Sequence, residues 1–353
     1  MSGNSGQPSR ICVLGGGGFL GSHLVEELIE KTAFEVEAVD TTFEKLAVSS
    51  KRLRVTQASI EDPGVIDSAV MANDILISTT ALCNPALYNS QPIDVINANY
   101  THLVPLVELC SKQSRWLIHY STCEVYGKMS AADSAAMNEA NSPMILGPVN
   151  KERWTYACAK QLLERLIWAY GKHAGLAFTI IRPFNVIGPR MDFIPGIDGE
   201  GVPRVLACFM KALLKREPLQ LVEGGGNRRA FIYVKDFTQA VLEIIGNPGR
   251  CQGEILNIGN PANDVTISEL AEKMVKVFQT RYKPQHEYRL QSVTAEEFYG
   301  PGYDDSEVRI PDIEKISKLL KWQPVTTLDQ MLPTVIEDYF TRYASDISGW
   351  GGQ

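Results

Sequence analysis

The segment that most restricts what this chain can fold into is Arg10-Ile-Cys-Val-Leu-Gly15-Gly-Gly-Gly18-Phe-Leu-Gly21. A short apolar run ends at glycine, and helical periodicity follows from about Ser22 to Glu30. That pattern is a buried strand turning directly into a helix. Glycines at 15, 18 and 21 have separate uses: one for the tight turn, one for approach of the backbone to a pyrophosphate, one for close helix–strand packing. The helix would point its unpaired amides and the positive end of its dipole at the phosphates. A glycine-rich turn alone is weak evidence. Here a second strand, Glu35-Val-Glu-Ala-Val-Asp40, ends on an acid 19 residues past Gly21. An acid at that place accepts hydrogen bonds from both ribose hydroxyls and repels a 2′-phosphate, which selects NAD over NADP. Expected cofactor contacts are Gly15, Gly18, Phe19, Leu20, Gly21 and Asp40, with Ser59 and Ile60 at the adenine pocket.

Apolar runs at Asp74–Thr79, Arg115–Tyr120 and Ala177–Ile181 read as later strands, separated by helical stretches near Asn99–Lys112 and Arg153–Lys172. Strand–helix alternation specifies an α/β fold, a Rossmann-type doubly wound parallel sheet. After Arg182-Pro-Phe-Asn185 the pattern loosens into Gly/Pro-rich segments with helices near Val202–Arg216 and Ser268–Gln279. The expected division is a disordered arm over 1–9, an NAD-binding domain over 10–185, and a smaller C-terminal α/β substrate domain over 186–345 with some chain crossing back.

Composition excludes several classes. Charged residues are 21% and apolar ones 44%, as in a globular rather than a disordered chain. The net charge of −7 offers no basic field for nucleic acid or an anionic membrane. No run approaches a membrane span, and the first ten residues lack the apolar core of a signal peptide. Seven scattered cysteines without a CxxC pair indicate neither a metal site nor a disulfide framework, and fit reduced thiols in a cytoplasmic protein.

Tyr156-Ala-Cys-Ala-Lys160 lies in a helical stretch, so both side chains share a face. A phenol is a poor base at neutral pH, and a neighbouring ammonium is expected to lower its pKa. The pair could then take a proton from a sugar hydroxyl while the carbon gives up hydride. YxxxK recurs by chance. Here it follows a strand carrying Ser121-Thr122 and the upstream glycine turn.

Together these elements resemble the extended short-chain dehydrogenase/reductase superfamily, from about Arg10 to Tyr343. The resemblance implies that Thr122 helps position the reacting hydroxyl and that Asn99 supports the cofactor pocket. Ser121-Thr-Cys-Glu-Val-Tyr-Gly127, Arg182-Pro-Phe-Asn-Val-Ile-Gly-Pro-Arg190 and Phe298-Tyr-Gly-Pro-Gly-Tyr-Asp-Asp-Ser-Glu-Val-Arg-Ile-Pro311 look like the UDP-glucuronic acid decarboxylase group. Met191–Asp198, Cys83, Cys123 and Val202–Phe209 are most similar to the plant UDP-apiose/UDP-xylose synthases. The implied cycle oxidises C4 of UDP-glucuronate, so that the C6 carboxylate becomes that of a β-keto acid and leaves as carbon dioxide. The C4 ketone also permits retro-aldol cleavage of C2–C3, and re-closure through C4 followed by reduction gives UDP-apiose. Direct reduction at C4 gives UDP-xylose.

By the same resemblance Glu124 and Arg309 act around the carboxylate, while Tyr88, Arg153, Asn185, Arg204, Arg229 and Arg309 bind substrate. Arginine suits that work because its planar fork pairs with carboxylate or phosphate. Cys83 and Cys123 would be the added acid/base groups of ring contraction, since a thiol titrates nearer neutrality than a serine hydroxyl. A homodimer is implied, with Asn99–Lys112 and Arg153–Lys172 forming a four-helix interface. The segment Lys128–Val149, Asn84 and Gln91 depart from the plant pattern. A decarboxylase stopping at UDP-xylose or the UDP-4-keto-pentose therefore stays open, as does a non-catalytic NAD-binding regulator.

Overall fold

A computed structural model describes residues 10–129, 136–199, 202–300 and 304–347; the expected arm over 1–9 lies outside them. Seven parallel strands form the central sheet. In chain order the first six are β1 (Arg10–Leu14), β2 (Glu35–Asp40), β3 (Leu53–Gln57), β4 (Ile75–Ser78), β5 (Trp116–Tyr120) and β6 (Phe178–Pro183). They lie in the order β6-β5-β4-β1-β2-β3, and strand Glu254–Ile258 adds itself outside β6. β4 and β5 are buried along their whole length. Continuous apolar runs are what a sheet covered on both faces requires. The strand order reverses between β1 and β4, and the crevice beyond the carboxyl ends at such a reversal is where these sheets bind ligands. Gly15, Thr79 and Ser121 stand at the ends of β1, β4 and β5 there.

The chain that continues past β6 is not segregated from this sheet. Helix Val234–Gly246 packs on α1 (Phe19–Lys31), where Lys235 Nζ lies 2.6 Å from Glu27 Oε1. One apolar core runs from Ile11 in β1 through Phe237 to Tyr339 of the C-terminal helix Leu328–Tyr343. A small sheet sets Arg228–Ala230 between antiparallel Asp264–Thr266 and parallel Val308–Arg309, and its register places Arg309 opposite Arg229. Among the described residues no helix is long and apolar enough to cross a membrane.

Two helices expected from periodicity begin or divide differently. Asn99–Lys112 is not one helix: Pro92–Asn99 ends, a 3-10 turn Thr101–Leu103 intervenes, and Val104–Lys112 follows. Pro92 and Pro105 each stand in a helical first turn, the one place where a missing amide hydrogen costs nothing, so each marks a new start. The helix expected from Val202 starts at Val205, because Pro203 precedes an extended Arg204.

Candidate active site

At the end of β1 the backbone turns through Gly15 with φ +86°, a left-handed conformation that favours glycine. A Cβ on Gly21 would strike the Gly15 carbonyl, so that glycine is required by packing. Gly18 differs: a Cβ there would meet only Gly15 O, at 3.4 Å. Among the described residues nothing forbids a side chain at 18, so packing alone does not call for this glycine. Gly18 caps α1 without a side-chain bond, so the amides of the first turn keep their donor capacity. Asp40 Oδ2 accepts from Gly17 N at 2.9 Å, which ties the acid to the turn it serves. Gly15, Gly18, Phe19, Leu20 and Gly21 line a cavity, whose wall also holds Ser121 with a buried hydroxyl that has no partner among the described residues. A glycine cradle, unspent helix amides, an acid at the end of β2 and an orphaned hydroxyl suit a dinucleotide. Ser59 and Ile60 follow β3, outside the residues lining this cavity; Ser59 N is bonded to Asp62 Oδ2 at 2.8 Å.

The same cavity is walled by Tyr156, Thr122, Cys83, Cys123, Tyr88, Asn185, Glu124, Arg204 and Arg309. Helix Thr155–Ala174 carries Tyr156 and Lys160, both buried, and Lys160 Nζ donates to Tyr120 O at 3.0 Å. The Tyr156 ring stacks on Tyr88 at 5.4 Å between centroids and 8° between planes, and Thr122 lines the same wall. Thr122 Oγ1 also accepts from Glu124 N at 3.2 Å, capping the turn Cys123–Tyr126. Asn99 supports the wall indirectly: its Nδ2 donates to Leu82 O at 3.0 Å, fixing the stretch that presents Cys83.

The expected lowering of the Tyr156 pKa is not found in the ligand-free chain. Burial pushes the phenol well above its ordinary value, and the charges of Cys83 and Glu124 would push the same way. Lys160 bears the cost of the same burial and drops to about 8. A lowered pKa means that the folded chain binds this proton less tightly than the unfolded chain does. The penalty is fully present below pH 8 and gone above the ordinary value of 10.5. Lys160→Met should therefore be inactive yet as stable as the parent or more so at pH 7, by up to ~2 kcal/mol after loss of the Tyr120 bond. Urea unfolding from pH 7 to 10 checks this: the parent should gain on the variant as pH rises, and a constant gap would count against the buried ammonium.

Both candidate thiols behave alike. Cys123 is buried and its pKa is raised by that burial. Cys83 has exposed surface, yet the dense walls around it raise its pKa as well. Each is a protonated thiol at neutral pH, a proton donor first and not the near-neutral base expected from an unperturbed value.

Beside them lies an ionic cluster. Arg153 grips Glu124 with Nη1 at 2.6 Å and Nη2 at 2.9 Å, and lies over the Tyr88 ring at 5.3 Å. Arg309 Nη1 reaches Glu124 at 3.2 Å and its Nη2 pairs with Asp305. Arg229 Nη2 holds Asp305 Oδ2 at 3.0 Å and Ser306 O at 2.8 Å. Asp305 is the member that sequence reasoning missed, although it stands four residues before Arg309 inside a quoted motif. Burial pushes Asp305 up, but Arg309, Arg229 and Arg153 outweigh it and hold the carboxyl well below its usual range. Among the described residues, three arginines face two carboxylates here. Arg204 stands apart and is matched by Asp192, at 2.7 Å.

Residues 11–259 match the NAD dependent epimerase/dehydratase family. The chain is 45% identical to the UDP-D-apiose/UDP-D-xylose synthase of Oryza sativa subsp. japonica, over 98% of this chain and 93% of that one. It is 44% identical to UDP-D-apiose/UDP-D-xylose synthase 2 of Arabidopsis thaliana, over 98% and 95%. Among solved structures, the PbgP3 protein from Burkholderia pseudomallei superposes with a TM-score of 0.84 at 32% identity, over 96% of this chain and 98% of that one.

Proposed function

Because the chain belongs to the NAD dependent epimerase/dehydratase family, we propose that it converts UDP-glucuronate to UDP-apiose and UDP-xylose. The observation that carries this reading is one cavity wall holding Tyr156, both thiols and the carboxylate-binding cluster of Glu124 and Arg309. A plain epimerase needs the first of these and not the rest.

The Gly15–Gly21 cradle and Asp40 would hold NAD, which would supply a hydride acceptor for C4 and later a hydride donor. Tyr156, acting in its phenolate form, takes the C4 hydroxyl proton, and Thr122 lines the wall beside it. The arginine forks of the Arg153–Arg309–Arg229 cluster, on the cavity's edge, bind the C6 carboxylate. Glu124, fixed by Arg153 and Arg309, is ionised and accepts a hydrogen bond or proton. Cys83 and Cys123 donate protons as bonds reorganise, and afterwards hold the thiolate that can take one back. Two lobes meet at the cavity: residues 10–185 hold the nucleotide and 186–345 the sugar nucleotide, with strand Glu254–Ile258 returning to the first.

Incubation with UDP-glucuronate and NAD, followed by NMR of the products, should show carbon dioxide loss and a branched pentose beside a linear one. Cys123→Ser should lower the branched product several-fold more than decarboxylation. A linear pentose alone from the parent would sink the apiose half, and equal losses in the variant would remove the thiol from ring contraction. The proposed assembly is a homodimer through helices Pro92–Asn99, Val104–Lys112 and Thr155–Ala174, supported by exposed Ile93, Ile96, Leu162 and Trp168 on them. Sedimentation at the 39.1 kDa of one chain would contradict it.

A further inference from the structure

Between β2 and β3 the chain runs over residues 41–52 as turns and irregular backbone. It begins hard against the glycine turn, since a Cβ on Gly17 would strike the Thr42 carbonyl. Its middle is fastened to the rest of the molecule from outside. Arg190 Nη1 donates to Lys45 O, Lys45 Nζ donates to Met191 O at 3.0 Å, and Ala47 N donates to Glu26 Oε1 at 2.9 Å. Arg190 in turn forks onto Glu26, at 2.6 and 2.7 Å.

The remaining contacts of Arg190 are built with equal care. Burial holds His23 below its ordinary pKa and hence neutral. Its Nε2 donates to Pro189 O at 3.0 Å, which leaves Nδ1 to accept from Arg190 Nη2 at 3.2 Å. Arg190 itself sits at φ +63°, and its amide donates to Asp338 Oδ2 at 2.9 Å. A non-glycine residue keeps such a backbone only when its surroundings over-determine it. None of this belongs to the catalytic wall.

We propose that Arg190 is a positioning residue for cofactor retention: with Glu26 and Lys45 it clasps the 41–52 loop beside the glycine turn, so that the adenosine half of the dinucleotide leaves only when the clasp opens. The inference rests on NAD occupying the Gly15–Gly21 cradle. The site of action is the adenosine end, because the loop continues from Asp40.

Displacement of bound NADH by excess NAD, followed by stopped-flow fluorescence, tests it on the full chain. Arg190→Gln and Lys45→Met should each release NADH about tenfold faster than the parent, the scale of one lost charge-assisted hydrogen bond. Lys45→Met removes a partly exposed contact and keeps the test available if Arg190→Gln folds poorly. Nicotinamide mononucleotide, which lacks the adenosine half, should bind parent and variants alike, and UDP affinity should not move. Unchanged NADH release in both variants would overturn the clasp, as would an equal weakening of the mononucleotide. A parent that bound no NADH would overturn the cofactor reading itself.

Discussion

Tyr156→Phe should consume UDP-glucuronate about 10³- to 10⁴-fold more slowly than the parent while binding NADH as tightly. The variant is a clean one. Phenylalanine keeps the ring that stacks on Tyr88, so the wall retains its shape. What disappears is one oxygen, on a side chain that lines the cavity. Stability should change by less than ~1 kcal/mol, since the buried ring and its stacking on Tyr88 are kept. Single-turnover formation of NADH on mixing with UDP-glucuronate measures the oxidation step directly. A rate within tenfold of the parent would remove the phenol from the chemistry.

Glu124→Gln should lose both function and stability. The substitution removes the charge of a carboxylate that Arg153 and Arg309 both hold, and breaking a buried ion pair in this way costs about 3 kcal/mol. Turnover should fall at least ~10²-fold, as when a positioned acid/base group is lost. The pH dependence has a definite sign. Burial pushes the Glu124 carboxyl up, while Arg153 and Arg309 outweigh it and keep it below its ordinary value of 4.5. Its contribution is thus present above pH 4.5 and lost as pH falls through the lower folded value. Urea midpoints of parent and variant should differ widely at pH 7 and draw together as the pH falls below 4.5. Coincident midpoints at neutral pH would show that the cluster carries no stability through this residue.

What could be read from the sequence was what is local. The glycine turn, Asp40 and the Tyr156–Lys160 spacing each sit within a few turns of chain, where periodicity and residue type suffice. Pro92 and Pro105 were equally visible, and they do break the helix that periodicity alone would run together. Asp305 was not recoverable by such reasoning. Its function arises because Val308–Arg309 pairs with Arg228–Ala230 in a register that sets two arginines side by side, and an acid must separate them. The upward shifts of Tyr156, Cys83 and Cys123 come from walls assembled out of distant segments, so an unperturbed pKa was the wrong starting point. Strand Glu254–Ile258 carries too short a signal to reveal that it returns to β6.

That returning strand has a consequence for how the protein is made. A ribosome releases β6 well before residues 254–258, and until they arrive one side of β6 is an open row of amides and carbonyls. The nascent nucleotide-binding half must wait with that apolar edge uncovered while the intervening chain is synthesised. A polypeptide stopped near residue 185 should accumulate as aggregate, and one carried past 258 should be the shortest from which a nucleotide-binding sheet can be recovered.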